Sequence, residues 1–325
     1  MFAGQALVYR KYGDPNEVLH LEERVISDIA PNQVLVKRLA SVIQPSDFSK
    51  IQGKYGRLST LPAIAGGEGI GQICEVGNNV KKLRCGMRVR IPGSVGTWQD
   101  YCVLEEDMVY CVPADLPIET SAQAFINPPT ALRLLNDFVS LHTGDWVIQN
   151  AANSCVGRCI IQLAKFYGYK TINVVRNAAQ IQPLMALGAN CVVKADALKS
   201  IKDFTGGVLP VLALNSVGGI SALSLIETLA DNGTMVTFGA MAGERIRFPT
   251  RELLFKNVQL RGFWLDYWIR SHTRWEYAAC LRQIFSFLQS KKLVLSFSET
   301  YPLNQWQTAL GKTQQSNLNG KILFV

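Results

Sequence analysis

The rhythm of hydrophobic and polar positions changes near residue 115 and again near residue 292. Before the first change, short runs such as Gln33-Val34-Leu35-Val36-Lys37 and Arg88-Val89-Arg90-Ile91 alternate or pair, with Gly, Pro and Asn between them. That texture predicts strands and turns of an antiparallel, β-rich domain. Within it, Gly66-Gly67-Glu68-Gly69-Ile70-Gly71 is too glycine-rich for a packed strand face and predicts a bend or a close approach of the backbone. From Ile118 to about Phe138 the period turns helical, with Asn127-Pro128-Pro129-Thr130 marking a fresh helix start. Strands and helices then alternate. Strands are expected at Trp146 to Ile148, Thr171 to Val175, Cys191 to Val193, Val211 to Asn215, Thr234 to Phe238 and Val258 to Leu260. Helices are expected at Ile181 to Leu187, Ile220 to Leu229, Arg251 to Phe255 and Trp275 to Leu288. This β-α alternation predicts an α/β fold, a doubly wound parallel sheet covered on both faces. The tail from Leu293 shows no βα unit of its own, closes on the apolar run Ile322 to Val325, and is expected to rejoin the first domain. The predicted domains are therefore residues 1–115 with 292–325, and residues 116–291.

The second domain is organised around Asp145-Trp146-Val147-Ile148-Gln149-Asn150-Ala151-Ala152-Asn153-Ser154-Cys155-Val156-Gly157-Arg158. A strand-length apolar run passes through small polar residues into a helical pattern carried by Val156, Ile160, Ile161, Leu163 and Ala164. Strand, tight turn and helix together present backbone N–H groups and a helix N-terminus to a phosphate. The turn lacks a full GxGxxG and holds only Gly157 at its end, so by itself it reads equally as a plain structural connection. Some twenty residues on, where an acidic side chain would favour NAD, the next strand ends Val174-Val175-Arg176-Asn177. A cation there accommodates a 2′-phosphate, which points to NADP; the alternative is an arginine that merely solvates a strand end.

Composition narrows the setting. The 325 residues suffice for two domains, and the chain is 48% hydrophobic and 18% charged. No apolar run reaches the roughly 18 residues of a membrane span, and the N-terminus lacks the shape of a signal peptide. A cytoplasmic protein is expected, with no membrane partner. Eight scattered cysteines without a CxxC pair suit reduced thiols used in packing. The net charge of +8 favours acidic partners such as phosphorylated cofactors or an acidic carrier protein. Dispersed basic residues without an accompanying motif argue against nucleic acid.

The order of a β-rich part, a central Rossmann domain and a returning tail resembles the medium-chain dehydrogenase/reductase superfamily. Within it, Gln52-Gly53-Lys54-Tyr55-Gly56, Gly96-Thr97-Trp98, Asn127-Pro128-Pro129-Thr130-Ala131, Val147 to Ser154, Thr171 to Arg176, Leu212-Ala213-Leu214-Asn215, Gly233 to Gly239 and Leu260 to Leu265 resemble the 2-enoyl thioester reductase branch. The resemblance spans nearly the whole chain and implies a GroES-like catalytic domain beside the Rossmann domain. It implies NADPH-dependent reduction of the C=C bond of an enoyl-CoA or enoyl-ACP, with hydride to Cβ and a proton to Cα. Tyr55 matches the family's proton donor; a tyrosine phenol ordinarily titrates near pH 10 and can donate at neutral pH. Without the resemblance, Tyr55 would read as a tyrosine capping a turn.

The cofactor contacts implied in the same way are Asn127 near the nicotinamide and Asn153, Ser154, Cys155, Val156 and Gly157 at the pyrophosphate turn. Arg176 would take the 2′-phosphate, and Phe238, Gly239, Ala240 and Met241 would lie on the nicotinamide side. Phe263, Trp264 and Leu265 would border cofactor and substrate channel, and Lys321 would reach the phosphates. Trp98 and Trp264 would wall an acyl pocket, although aromatic residues are more often core. The family's homodimers pair at the Rossmann sheet edge, and Thr234 to Phe248 resembles that region.

Many relatives in the superfamily hold a catalytic zinc. Where the first ligand would fall this chain has Gln44, and beside Glu68 it has Gly67 where a histidine is expected. Only Cys85 and Cys102 flank the region of a structural zinc lobe, and His20, His142 and His272 are isolated. Amide and glycine do not replace thiolate and imidazole. No metal is therefore expected, which points away from a zinc alcohol dehydrogenase and toward zinc-free reductases of enoyl compounds and quinones. Two departures from the branch stand out. Cys155 replaces a second glycine, where it would crowd the pyrophosphate, be open to oxidation at a helix N-terminus, or serve as a small buried thiol. Asp266 follows Phe263-Trp264-Leu265, where relatives are small or polar. The alternatives are a zinc-free NADPH:quinone or alkenal/enone oxidoreductase, and a non-catalytic NADP-binding protein on the same scaffold.

Overall fold

The computed structural model describes residues 1–243, 245–246, 249–315 and 318–325, without the side chain of residue 199. The chain divides into two units, Met1–Phe125 with Leu295–Val325, and Ile126–Val294. Residues 116–125, expected with the second unit, join the first. The helix Ile118–Ala122 packs on the first unit's sheet, and Phe125 N donates to the buried Glu68 Oε1 at 2.8 Å.

The N-terminal part contributes strands β1 (Phe2–Tyr9), β2 (Leu19–Ile26), β3 (Gln33–Val42), β4 (Ala63–Ile64), β5 (Glu68–Val76), β6 (Arg88–Pro92) and β7 (Tyr101–Glu105). The second unit contributes β8 (Trp146–Gln149), β9 (Lys170–Val175), β10 (Cys191–Lys194), β11 (Leu212–Asn215), β12 (Thr234–Thr237) and β13 (Gln259–Gly262). The tail adds β14 (Phe297–Tyr301) and β15 (Lys321–Phe324).

In the first unit β1 pairs antiparallel with β2 and β4, while β14, β15, β3, β5 and β6 form a second sheet in that order, with β7 also on β3. Val34 and Val36 alternate inward with Ile73, Val89, Ile91 and Leu104 to make one core. A second core joins Leu7, Tyr9, Trp98, Trp306, Leu310 and Phe324. The close backbone approach expected of the glycine-rich stretch is present, since Gly69 and Gly71 let β3 come close. Two expectations are corrected here. The stretch is part of a buried strand. A Cβ on Gly71 would stand 2.5 Å from the Lys37 carbonyl oxygen. The tail does carry a βα unit: β14 and β15 run parallel, joined by the helix Trp306–Thr313, which buries Trp306, Ala309 and Leu310 at helical spacing.

The second unit is a six-stranded parallel sheet in the order β10-β9-β8-β11-β12-β13. The chain starts at β8 in the middle, winds outward through β9 and β10, then returns to β11 and winds the other way. The β8/β11 junction is thus the topological switch point, outside whose carboxyl ends α/β sheets bind ligands. All four residues of β8 and of β11 are buried, as a sheet covered on both faces requires. β13 is the outer strand, so Thr234–Thr237, expected at the sheet edge, is interior: its outer side pairs with Gln259–Gly262. Glu244, Arg247 and Phe248 of that expected dimer segment lie outside the described residues. Among the described residues no helix is long and apolar enough to cross a membrane.

Candidate functional site

In the second unit the helix Cys155–Tyr167 starts directly beyond β8. Ala151 turns the chain with φ of 46°, and Ser154 is the N-cap, its Oγ accepting from Gly157 N at 3.1 Å. Arg158 N donates to the Ser154 carbonyl. Of the first helical N–H groups, those of Cys155 and Val156 are left to an outside acceptor. Gly157 has no room for a side chain, since a Cβ would stand 2.5 Å from the Ala152 carbonyl oxygen. It fills the role of a glycine that lets helix and turn pack closely. Asn153 is exposed, and Ser154, Cys155 and Val156 are half-buried, so Cys155 is not the fully buried thiol of its plainest reading.

The strand ends around this turn carry a polar network that sequence reasoning missed. Asn150 Nδ2 donates to Asn215 Oδ1 (2.8 Å) and Ser221 Oγ (3.1 Å), while its Oδ1 accepts from Ser216 N (2.8 Å). Asn215 Nδ2 donates to Thr237 Oγ1 at 3.1 Å. Gln149 Nε2 donates to Asn173 Oδ1 (2.7 Å) and the Gly157 carbonyl (3.0 Å). The visible signal was the polar residue that closes each apolar strand run. These bonds fix β8, β9, β11 and β12 at the carboxyl edge of the sheet. Past that edge, Arg176 is exposed at the end of β9. Phe238 N donates to the Asn215 carbonyl and Met241 N to the Ser216 carbonyl, so residues 238–241 fold back over the end of β11. Gly239 lies close to Ser216, Ala240 is exposed and Met241 is 67% exposed. Asn127 begins the helix Asn127–Asn136, packed on Cys155–Tyr167, and its buried Nδ2 has no hydrogen-bond partner.

After β13, Phe263 N donates to the Thr237 carbonyl and its ring meets Phe138 edge-on at 5.9 Å. Trp264 caps the helix Leu265–Ser271, and Leu265 is buried. Asp266 is held by Arg270 at 3.0 Å, and the same guanidinium lies over the Trp264 and Tyr267 rings. The acid is therefore paired on its own helix.

In the first unit Tyr55 follows the helix Pro45–Ile51. That helix ends in a Schellman cap: Lys54 N donates to the Ser49 carbonyl (2.8 Å), Gly53 N to the Lys50 carbonyl (3.0 Å), and Gly53 takes φ of 73°. Tyr55 stands two residues past this left-handed glycine, half-buried, with Lys50 Nζ 5.9 Å from its ring centroid. At the other end of the helix, Gln44 N donates to Asp47 Oδ2 at 2.7 Å. Gln44 Nε2 donates to Glu68 Oε2, and Lys321 Nζ donates to Gln44 Oε1. Lys321, expected at the phosphates, thus has its ammonium on Gln44. Trp98, expected to wall a pocket, is a core residue: it is fully buried, meets Phe324 edge-on at 5.3 Å, and donates from Nε1 to the Val42 carbonyl. Its ring presents no surface to an acyl chain. Both functional groups of the Gln44 side chain are engaged in hydrogen bonds. Among the described residues no group of three His, Cys, Asp or Glu side chains is arranged to hold a metal ion.

Comparison with known proteins places these features. Residues 30–114 match the alcohol dehydrogenase GroES-like domain family, and residues 155–281 the zinc-binding dehydrogenase family. The chain is 40% identical over 334 residues to the mitochondrial enoyl-(acyl-carrier-protein) reductase of Xenopus tropicalis, covering 99% of this chain and 95% of that one. A solved complex of Etr1p, a mitochondrial 2-enoyl thioester reductase of Candida tropicalis, with NADP and crotonyl-CoA is 30% identical. It covers 100% of both chains with a TM-score of 0.91. The Escherichia coli quinone oxidoreductase complexed with NADPH is 26% identical, with 99% of each chain covered and a TM-score of 0.88.

Burial pushes the Asp47 carboxyl up to about 6, against the opposing pull of the Gln44 N–H, Lys50, Lys321 and the Gly67 N–H. The folded chain thus holds this proton more tightly than the unfolded chain does. The associated stability is full below about pH 4 and is lost as the pH rises through about 6. Asp47→Asn keeps an acceptor for Gln44 N and removes the titration. Urea unfolding from pH 4 to pH 7 should show the wild type losing ground to the variant by up to about 3 kcal/mol. A difference that does not change with pH would refute this.

Proposed function

The chain belongs to the mitochondrial-type enoyl thioester reductase branch of the zinc-free medium-chain dehydrogenase/reductase superfamily, and we propose that it reduces the C=C bond of 2-enoyl thioesters with NADPH. The observation that carries the reading is Tyr55, presented by a capped helix end rather than sunk in a core. The residues of the second unit fit a dinucleotide. Gly157 allows close packing, the N–H groups of Cys155 and Val156 stand at the helix N-terminus, and Asn127 Nδ2 is a buried donor with no protein acceptor. Asn153, Ser154, Cys155 and Val156 would hold the pyrophosphate, and Arg176 would take the 2′-phosphate. Phe238 to Met241 and Phe263 to Leu265 line the nicotinamide and acyl side.

When bound, NADPH supplies a hydride to the β-carbon. Negative charge then develops on the thioester oxygen and α-carbon, and Tyr55 Oη delivers the proton that completes the saturated thioester. Lys50 Nζ stands 5.9 Å from the centre of the same ring. CoA and an acyl carrier protein are both within this proposal as the thioester's carrier, and the net charge of +8 suits the acidity of either. A second reading, NADPH:quinone or enone reduction, draws on the likeness to the Escherichia coli enzyme. A homodimer is proposed through β13, whose Gln259, Arg261 and Gly262 are exposed on the outer strand, next to the exposed Leu254 and Phe255.

Three experiments test these points. NADPH oxidation is followed with crotonyl-CoA and with 9,10-phenanthrenequinone. Tyr55→Phe should lower thioester turnover about 10²- to 10⁴-fold while leaving NADPH binding intact. Quinone turnover indifferent to Tyr55, with no thioester turnover, would move the protein to the second reading; binding without any turnover would favour a non-catalytic role. Arg176→Ala should weaken NADPH binding roughly ten- to a hundredfold and NADH binding little; equal losses would remove Arg176 from the 2′-phosphate. Light scattering should give a dimer for the wild type and a monomer for Leu254→Glu with Phe255→Glu. A monomeric wild type would end the dimer proposal.

A further inference from the structure

Gln44 caps the start of the helix Pro45–Ile51, about two turns long, and Tyr55 follows its far end. Gln44 is 3% exposed, and three of its groups are engaged: N on Asp47, Nε2 on Glu68, and Oε1 accepting from Lys321. Glu68 is fixed in turn by Phe125 N, and Asp47 is also met by the Gly67 N–H. The side-chain amide therefore links a carboxylate on β5 to an ammonium on β15, while the backbone N–H of the same residue is bonded to the first turn of the helix Pro45–Ile51. Pro45 at the first helical position and the Gln44–Asp47 capping box fix the direction in which this helix leaves. At its far end the Schellman cap leaves only Lys54 between Gly53 and Tyr55. The amide is thus tied to the start of the helix and the phenol follows its capped end. The helix is about 10 Å long, so a tilt of about 5° at Gln44 moves its far end by about 1 Å, a displacement that can cost about ten- to a hundredfold in a positioned reaction.

We propose that Gln44 is a positioning residue for Tyr55: by bridging Lys321 and Glu68 at the start of the helix, it fixes where the phenol stands. This rests on the reading of Tyr55 as proton donor, and the test separates the two. Gln44→Met preserves length and removes both side-chain hydrogen bonds. It is assayed with crotonyl-CoA and NADPH alone, beside Tyr55→Phe, and in the double variant, with circular dichroism to confirm folding. Gln44→Met should lower kcat about tenfold, leave KM within about twofold, and add nothing further in the Tyr55→Phe background. If Gln44→Met fails to fold, Gln44→Asn keeps the amide but is one methylene too short for the bridge, and it is held to the same three results. Equal loss in both backgrounds, or no loss in either, overturns the positioning role while the donor reading stands. Full thioester turnover by Tyr55→Phe overturns the donor reading and this inference with it.

Discussion

Two carboxylates, Glu68 and Asp47, are sunk in the first unit at 1% and 2% exposure, and much of that unit is arranged to satisfy them. A carboxylate taken out of water costs several kcal/mol unless hydrogen bonds and opposite charge offset it. The partners come from far apart in the sequence. Gln44 starts a short helix, Phe125 ends the N-terminal part, and Lys321 opens the last strand, 277 residues from Gln44. Satisfying the pair therefore needs the tail threaded back beside β3, the turn at Gly66-Gly67, and the helix Pro45–Ile51 together. The hydrophobic core formed by Trp98, Trp306 and Phe324 could tolerate small slips of the tail; an ammonium aimed at one amide oxygen tolerates fewer.

The second unit rests on a different constraint with the same logic. A sheet buried on both faces must pair every polar side chain it buries, and here these gather toward the carboxyl ends of the strands. There Asn150, Asn215 and Thr237 bond in series while Gln149 ties β8 to Asn173 and Gly157. These bonds hold the strand ends in register, so the turn beyond β8 is shaped before any ligand arrives. Ser154 then consumes one helical N–H and leaves two others, which is the difference between a closed helix end and an anion site.

What was legible in the sequence follows from this contrast. The runs Trp146 to Ile148, Thr171 to Val175 and Val211 to Asn215 stood out because buried parallel strands are apolar throughout, and each lies within a residue of the strand that forms. The turn after β8 and the end of β9 at Arg176 were legible as structure because their order along the chain is their order in space. The helix Pro45–Ile51 was not, since Ser46, Asp47, Ser49 and Lys50 give it no apolar stripe. β14 was missed because none of its residues is fully buried, and with it the βα unit of the tail. Trp98 and Lys321 were assigned by resemblance to a ligand, whereas long-range packing set both. No local pattern reports that Phe324 will meet Trp98 or that Lys321 will find Gln44.

The polar cluster and the chemistry also belong together. Reducing a carbonyl concentrates charge on one oxygen, which a Lewis acid relieves. Adding hydride to an enoyl thioester spreads the charge over oxygen and α-carbon, and a neutral acid that gives up one proton is enough. The demand then shifts from charge to placement: a phenol must stand within hydrogen-bond reach of one carbon and keep that position through turnover. A ligand set built of thiolate and imidazole serves the first demand. A buried amide locked between an ammonium and a carboxylate, at the base of a helix capped at Gly53, serves the second.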